Sequence, residues 1–419
     1  MPWGRVPFVS AVPTLIEREM KLLVISAAFP PLKVGEADHA LHLCHHLSDR
    51  GLDVRVLTTK RDVSTVRLPF KVHPVMPHWL WSDLPRLASF LRHCSPDAIL
   101  LIYTDRDYDY HPMITFAPTV AKALLPRAVF VTQFETEYMG CKASLLTRAS
   151  LKLFSRCAGP RFLDQLLGTL LCKSDNVIVL SERHQAMLAK RFPAIGNRTS
   201  VIPPPPLMPV IADNNGASRE QGRRALGVKP DDFLIAYYGY IYPDKGIETL
   251  FKGFQIVNNQ KGNTRLIMVG ASLSFLHCPS YLAGIQELAK QLAIEDKIIW
   301  TGEYALGSEE ASLYFRACDL CVLPFDHGVT LNRSSLAAAA AHGLPIVTTG
   351  GAKIESPFKD QENVFLCPPQ DANALALAID SLMTNPESSH RLRQGVLELA
   401  RNFFSWDKAV ARTIEALST

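Results

Sequence analysis

The chain has 419 residues, too many for a single hydrophobic core, so two domains are expected. Its 47% hydrophobic and 20% charged residues are typical of a globular protein. The net charge of +4 is small and no long run of Lys or Arg occurs, which argues against a nucleic acid partner. Nine cysteines at scattered spacings indicate free thiols in a reducing compartment, so we expect a cytoplasmic protein.

Strands and helices are predicted to alternate from residue 20 onward. The first 19 residues contain three prolines and no clear signal-peptide core, and we expect a flexible, dispensable extension. Near-continuous apolar segments predict strands at 21–29, 53–59, 95–103, 127–134 and 174–181, and residues 36–51 predict a helix that ends at Gly51. This alternation predicts a parallel sheet that is covered by helices on both faces.

A proline-rich segment, VIPPPPLMPV at 201–210, interrupts the alternation and predicts a stiff spacer. The pattern then restarts, with predicted strands in FLIAYYGYI, TRLIMVGA, DKIIWTGE, DLCVLPF, PIVTT and NVFLCPP. The sequence therefore predicts an α/β protein with two doubly wound, Rossmann-like domains, at 20–203 and 204–402. Ligands of such sheets bind at the carboxyl ends of the strands, so the cleft between the domains is the expected active site.

Two loops that follow predicted strands carry residues suited to an anion. Gly35 would let the backbone approach a ligand closely, with helix N–H groups behind it. In YYGYIYPDKGIETL a strand ends at Gly239 and Lys245 stands at the next helix start, where an ammonium suits a diphosphate. The alternatives are an ordinary turn and a solvated helix-capping Lys.

A third such loop is HGVTLNRSSLAAAAAHGLP, which predicts a short helix with polar residues at its start and Gly343 at its end. The groups expected to bind the anion are the free N–H groups of Val329, Thr330 and Leu331, the guanidinium of Arg333 and the hydroxyls of Ser334 and Ser335. The alternative is a plain capped helix with an exposed Arg.

Taken in order, these segments resemble the family 4 glycosyltransferases of the GT-B fold. The similar segments are FPPLKVGEADHALHLCHHLSDRGLDVRVLTT, SDNVIVLSERHQAMLAKRF, YGYIYPDKGIETL, LYFRACDLCVLPF, AAAAAHGLPIVTTGG and ENVFLCPPQDANALALAI. The end of the chain, 403–419, resembles the family's terminal helix, which crosses back to the first domain. The resemblance implies sugar transfer from a nucleotide-sugar donor with retained anomeric configuration and without an obligatory metal or other cofactor. The implied acceptor is a glycan, a lipid-linked molecule or a small molecule, in polysaccharide or glycoconjugate synthesis.

The resemblance carries over to single residues unevenly. Gly35 and Lys245 match the glycine and lysine near the donor phosphates, and Gly239 precedes Tyr240, which stands where the family has Arg. The two Glu that the family has before GLP correspond to Thr330 and Ala338 here, and neither can bind sugar hydroxyls as a carboxylate does.

The expected chemistry is electrostatic. Lys245 and Arg333 would stabilise the charge that develops on the leaving diphosphate. The family's His after the VFVT strand is absent, and TQFETEY offers Gln133, Glu135 and Glu137 to the acceptor, with Glu135 as a third catalytic residue. A catalytically silent binding subunit and a sugar-nucleotide epimerase of the same fold are the alternatives. The epimerase would need carboxylates and a His in the cleft.

The first predicted helix carries three histidines on one face, His39, His42 and His46. Zinc ligation is one interpretation, but no Cys or acidic ligand has a fixed position nearby. Leucines on the same helix favour the other interpretation, an ordinary amphipathic helix without a metal.

Two remaining patterns have plain interpretations. CDLC at 318–321 is a CxxC that is expected to supply two buried thiols rather than a redox or metal site. In the segment 141–161, Arg148, Lys152 and Arg156 lie four residues apart beside an apolar stripe. A solvated helix face is one interpretation of this segment, and peripheral contact with the inner face of a membrane is the other.

Overall fold

The structure is a computed structural model that describes residues 20–61, 67–136, 168–213, 216–270, 278–304, 307–352 and 354–419. Every strand pair found in these residues is parallel, and the strands form two separate sheets. The predicted extension at 1–19 and the basic segment at 141–161 lie outside the described residues.

The first sheet is built from residues 21–201. Its strands are β1 (Lys21–Ile25), β2 (Asp53–Thr59), β3 (Lys71–Met76), β4 (Ala98–Tyr103), β5 (Val129–Phe134), β6 (Asn176–Val179) and β7 (Thr199–Val201). Its helices are α1 (Gly35–Asp49), α2 (Leu84–Cys94), α3 (Ala117–Leu124), α4 (Gly168–Lys173) and α5 (Glu182–Arg191). The strand order is β3-β2-β1-β4-β5-β6-β7. Leu23 and Ile25 pack on one face while Leu22 and Val24 pack on the other, so each face has its own core cluster.

The second sheet follows the proline-rich segment. Its strands are β8 (Phe233–Tyr238), β9 (Thr264–Val269), β10 (Ile298–Gly302), β11 (Leu320–Leu323), β12 (Ile346–Thr349) and β13 (Phe365–Cys367), in the order β10-β9-β8-β11-β12-β13. The remaining helices are α6 (Ala217–Ala225), α7 (Ile247–Lys261), α8 (Cys278–Gln291), α9 (Glu310–Ala317), α10 (Ser334–Ala341), α11 (Ala372–Thr384), α12 (Pro386–Phe403) and α13 (Trp406–Ser418). Of the helices in the described part of the chain, none combines the length and apolarity needed to cross a bilayer.

The predicted fold class, two doubly wound parallel α/β sheets, is confirmed. The strands predicted from apolar segments are all present, but β3 and β7 were not predicted. Both lie at an edge of the first sheet, where a strand pairs on one side only and is less buried. Their sequences therefore lack the continuous apolar pattern, and β3 also contains Pro74, which an edge strand tolerates.

Trp406, the first residue of α13, packs against the core of the first sheet and contacts the proline-rich segment that leads to the second sheet. This helix packs against α1, β4, β5 and β6 of the first sheet. The Trp406 indole donates its Nε1–H to the Pro206 carbonyl at 3.0 Å. The rings of His39, His42 and His46 lie 6.1, 6.0 and 4.4 Å from the indole ring. The histidine face of α1 therefore packs on an aromatic ring, and no metal is needed to explain it.

Burial decides the charge state of several groups in these cores. Desolvation, followed by the neighbouring histidines, lowers the pKa of His42 to about 4, so this ring packs in its neutral form. Cys318 and Cys321 are both buried and free, as predicted, and burial raises the pKa of each thiol. In the part of the chain that the structure describes, no three His, Cys, Asp or Glu side chains come together in a way that would hold a metal.

Replacing Trp406 with Ala should lower the free energy of unfolding by about 2 kcal/mol, because it removes a half-buried aromatic ring and a hydrogen bond. Trp406→Phe keeps the contact with the histidine rings but not the N–H, so it should cost about 1 kcal/mol. Urea unfolding of the three proteins measures both values. Equal stability of Trp406→Ala and the wild type would show that the contacts of the indole do not stabilise the fold.

Candidate active site

A cavity of about 830 Å³ lies between the two sheets. The residues that line it come from the segments after β1, β2, β4, β5, β6, β8, β9, β10 and β11 and from the proline-rich segment. In a parallel sheet all of these loops gather at the carboxyl edge, where ligands of such folds bind. The two sheets therefore present their binding edges to one shared space.

Gly35 lines this cavity at the first residue of α1. A β-carbon added at Gly35 would meet no protein atom within 4 Å, so packing does not require a glycine here. No side chain caps the start of α1 at Val34. The N–H groups of Gly35 and Glu36 donate to no backbone carbonyl of the described residues, and the space beside Gly35 is open.

Lys245 is held at the cavity by the glycine that follows it. Gly246 has a φ of +69°, and a β-carbon added there would lie 1.8 Å from the Pro324 carbonyl oxygen. Glycine favours this conformation, and this close approach leaves no room for a β-carbon. The backbone conformation beside Lys245 therefore depends on Gly246. Lys245 thereby reaches the cavity from the start of α7.

The Lys245 ammonium lies among aromatic rings rather than carboxylates. Its Nζ is 4.8 Å from the Tyr242 ring centroid and 5.4 Å from that of Phe325. Burial lowers the pKa of Lys245, and the nearby Arg333 charge lowers it further. Among the described residues no carboxylate forms an ion pair with Lys245. The site therefore holds a cation that a bound anion would stabilise.

Arg333 brings a second cation to the same place. Its Cζ lies 4.5 Å from the Phe325 ring centroid. Ser334 and Ser335, the first residues of α10, also line the cavity, and no backbone carbonyl of the described residues accepts a hydrogen bond from their N–H groups. A β-carbon at Gly239 would lie 3.8 Å from the Ser335 side chain, so this glycine borders the same helix start. The arrangement suits an anion.

The loop that precedes α10 does not supply the N–H groups predicted for it. The Val329 N–H donates to the Thr349 carbonyl at 2.9 Å, and the Leu331 N–H donates to Glu355 Oε2 at 2.7 Å. Thr330 is buried with both neighbours, and none of the three lines the cavity. The prediction of free N–H groups at Val329 and Leu331 is wrong, because β12 and a buried carboxylate already accept these hydrogen bonds.

Glu355 is a site-supporting residue that the sequence analysis missed. Its buried carboxylate also accepts the Arg183 N–H at 3.0 Å. Burial raises the pKa of Glu355, while these backbone donors lower it. The carboxylate therefore joins the start of α5, on the first sheet, to the loop that leads into α10. A single Glu in KIESPF has no spacing signal, so only the folded structure identifies it.

Tyr240 lines the cavity and contacts the first sheet across it. Its hydroxyl donates to Asp38 Oδ2 at 3.0 Å, and a Lys33–Glu303 ion pair crosses the same gap. Burial raises the pKa of Asp38 to about 6; the Tyr240 hydrogen bond lowers this pKa, and Glu36 raises it. Tyr240, predicted to bind the donor, thus has its hydroxyl engaged by the facing sheet.

Glu135 lines the cavity directly after β5, and both of its carboxylate oxygens accept hydrogen bonds. Gln133 donates from Nε2 to Oε1 at 2.6 Å, and His39 donates from Nδ1 to Oε2 at 2.8 Å. Gln133 is 2% exposed and does not line the cavity, so it is not placed to touch an acceptor as predicted. Glu137 lies outside the described residues. His39 lines the cavity, a position that the sequence analysis missed.

Charges of both signs line each side of the cavity. Lys245, Arg333 and Glu303 come from the second sheet, and the first sheet supplies the carboxylates Glu36, Asp38 and Glu135 together with Lys33 and Arg106. Arg106 pairs with Glu36 at 2.7 Å, and Lys33 pairs with Glu303. Thr330 and Ala338, which replace the family's two Glu, are buried and do not line the cavity. The surroundings of Lys245 and Arg333 therefore lack the two carboxylates that the resemblance would place there.

Two family models match the chain. A model of the glycosyl transferases group 1 matches residues 218–397, and one of glycosyltransferase family 4 matches residues 35–205. The chain belongs to the family 4 glycosyltransferases. Curated relatives include the D-inositol 3-phosphate glycosyltransferase of Thermomonospora curvata, 25% identical over 58% of this chain and 56% of the relative. An uncharacterized glycosyltransferase of Haemophilus influenzae is 24% identical over 54% of this chain and 56% of the relative. The chain spans little more than half the length of these relatives.

Solved structures agree on the fold. The HepE protein of Anabaena with UDP and glucose matches with a TM-score of 0.70 and 16% identity, over 96% of this chain and 100% of that one. Sucrose-phosphate synthase of Thermosynechococcus elongatus matches with a TM-score of 0.68 and 20% identity, over 95% and 98% of the two chains. These likenesses show the GT-B fold alone. The cleft does contain the His and carboxylates that the epimerase alternative requires, but the family match favours a glycosyltransferase.

Asp38→Asn should remove a pH dependence of stability. The folded protein holds the Asp38 proton up to about pH 6, whereas the unfolded chain loses it near the ordinary value of 3.8. The stability contributed by this proton therefore falls as the pH rises through that window. Asparagine still accepts the Tyr240 hydrogen bond without a charge, so Asp38→Asn should raise the Tm near neutral pH and change it little near pH 4.

Thermal melts at both pH values measure this effect. Asp49→Asn is the matched control, because Asp49 is exposed on the same helix, α1. If Asp38→Asn melts at the wild-type temperature near neutral pH, the Asp38 carboxylate ionises there without a cost to folding.

Proposed function

We propose that the cavity binds a nucleoside-diphosphate sugar and that the protein transfers the sugar to a hydroxyl-rich acceptor with retention of anomeric configuration. One observation carries this proposal: Lys245 and Arg333 share the Phe325 ring at two helix starts that line the cavity. A diphosphate matches two cations and the N–H groups of helix starts. Gly35 leaves room for it on the opposite side.

Uridine is the nucleoside we propose for the donor. HepE has been solved with UDP and with UDP-glucose, and it shares the fold of this chain. UDP-glucose is therefore the first donor to test, ahead of GDP- and ADP-sugars. In this proposal the two protein cations neutralise the diphosphate, so activity should persist when EDTA removes divalent metals.

In the proposed reaction the bond between the anomeric carbon and the diphosphate oxygen breaks, and its electron pair stays on that oxygen. The acceptor hydroxyl forms a bond to the same carbon from the face that the diphosphate leaves, and its proton passes to the leaving oxygen. Lys245, Arg333 and the N–H groups at the start of α10 stabilise the developing charge. Because these groups are already in place, this stabilisation requires little reorganisation.

The carboxylates on the first-sheet side of the cavity favour an uncharged acceptor. Glu36, Asp38 and Glu135 line this side together with two cations, Lys33 and Arg106. Carboxylate oxygens accept hydrogen bonds from sugar hydroxyls and repel anions. We therefore place a neutral glycan, the sugar of a lipid-linked acceptor or a small polyol here. Peripheral membrane contact through residues 141–161 stays a prediction.

Removing either cation should weaken the donor site. Lys245→Ala should lower the affinity for UDP by about 10–100-fold, the equivalent of one charged hydrogen bond. Arg333→Ala should lower turnover of UDP-glucose by more than about tenfold, and Arg333→Lys should be partly active because it keeps the charge without the planar fork. Calorimetry and UDP release measure the two effects.

Lys252→Ala is the matched control for these variants, because Lys252 is exposed on α7, the helix that begins two residues after Lys245. It should bind UDP like the wild type. Wild-type UDP affinity in Lys245→Ala would remove Lys245 from the donor site, and full turnover in Arg333→Ala would leave α10 an ordinary capped helix.

Substitution of Gly35 should affect UDP binding, whereas substitution of Gly246 should affect stability. Gly35→Val fills open space, so it should keep the wild-type Tm while weakening UDP binding. Gly246→Ala meets the Pro324 carbonyl at a positive φ, so it should lower stability by about 1–3 kcal/mol. Thermal melts and UDP titrations separate these effects. Wild-type UDP affinity in Gly35→Val would place the diphosphate elsewhere.

The transfer reaction itself is tested with UDP-glucose and a panel of neutral sugar acceptors, with the linkage of the product read by NMR. An α-linked product supports transfer with retention, and a β-linked product overturns the retention. UDP binding without turnover of any nucleotide sugar would favour the silent binding subunit instead.

A further inference from the structure

His39 lines the cavity but has no part in the proposed diphosphate site. The side chain is buried, and its Nδ1–H donates to Glu135 Oε2 at 2.8 Å. The carboxylate can only accept, so the hydrogen of this bond lies on Nδ1, and in the neutral imidazole the lone pair lies on Nε2. No group of the described residues forms a hydrogen bond with Nε2. The neutral imidazole therefore has one unused hydrogen-bond acceptor beside the cavity.

The ring is held in this orientation from two sides. Glu135 is itself fixed by the buried Gln133, whose amide donates to the other carboxylate oxygen at 2.6 Å. The Trp406 indole lies 6.1 Å from the His39 ring. A residue needed only to fill space beside Trp406 would not require a buried carboxylate and a buried amide, which are costly to remove from water.

The other histidines of this helix face provide the comparison. His42 and His46 also pack on Trp406, yet neither lines the cavity. All three rings therefore contact the indole. Only His39 also has a carboxylate partner and lines the cavity.

We infer that His39 is a catalytic residue whose Nε2 accepts a hydrogen bond from a sugar hydroxyl in the cavity, with Glu135 and Gln133 as its positioning residues. This inference rests on the proposed function, because it assumes a sugar beside the donor diphosphate. Glu135 directly follows the last residue of β5, where the sequence lacks the family's His. The imidazole reaches this strand end from α1 instead. The hydroxyl belongs either to the donor sugar or to the acceptor.

The test compares His39→Ala with His46→Ala, a matched control on the same helix and the same indole but outside the cavity. Both should bind UDP like the wild type, and His46→Ala should keep its turnover. His39→Ala should lose about 100-fold in kcat/KM for glucosyl transfer from UDP-glucose. If hydrolysis of UDP-glucose by water falls equally, the hydroxyl is the donor's. If hydrolysis is retained, the hydroxyl is the acceptor's.

Two further measurements separate this role from a structural one. Added imidazole should restore part of the activity of His39→Ala, which a packing defect would not allow. Glu135→Gln, which keeps an oxygen to accept the Nδ1–H, should show a smaller loss than His39→Ala. If His39→Ala does not fold, His39→Gln, which is closer in size, is assayed in the same way.

Wild-type transfer by a folded His39 variant would overturn the assignment of His39 and leave the transfer reaction intact. Loss of activity that imidazole does not restore, together with weakened UDP binding, would also overturn it. A wild-type protein that binds UDP but turns over no nucleotide sugar would overturn the transfer reaction and this inference together.

Discussion

Every strand pair in the two sheets is parallel, so each strand must be followed by a crossover before the next can begin. The loops that follow the strands consequently gather at one edge of each sheet, and the two edges face a single cavity. Gly35, Lys245 and Arg333 follow β1, β8 and β11. They line the same cavity only because of this constraint, and the helices that begin beside them present N–H groups to it.

The two cations that we assign to the diphosphate lie beside one aromatic ring. Lys245 and Arg333 stand over Phe325 on the side of the second sheet, without the two carboxylates that the family has at positions 330 and 338. Three carboxylates and two cations line the side of the first sheet. In our proposal the diphosphate binds beside Lys245 and Arg333, and the sugar hydroxyls bind at the carboxylates.

One face of α1 contacts both the Trp406 indole and Glu135 at the cavity. The three histidines of α1 pack on the indole, and the indole in turn bonds to the proline-rich segment between the sheets. The same face brings His39 to Glu135 at the end of β5. The contact between α1 and the indole therefore also helps to orient the imidazole that we place at the sugar. Loss of Trp406 would disturb both.

The sequence by itself determined the two parallel sheets, because buried strands alternating with helices leave an apolar pattern that only a sheet covered on both faces explains. It also placed Gly35, Lys245 and Arg333 at helix starts, since Gly, Lys and polar runs mark such positions locally. Only the tertiary structure decided which backbone and side-chain groups already have hydrogen-bond partners. Glu355 lies 24 residues beyond the Leu331 N–H that it accepts, and His39 lies 96 residues before Glu135. Such pairs depend on how distant elements pack against each other, and the local patterns that predict strands and helices do not record that packing.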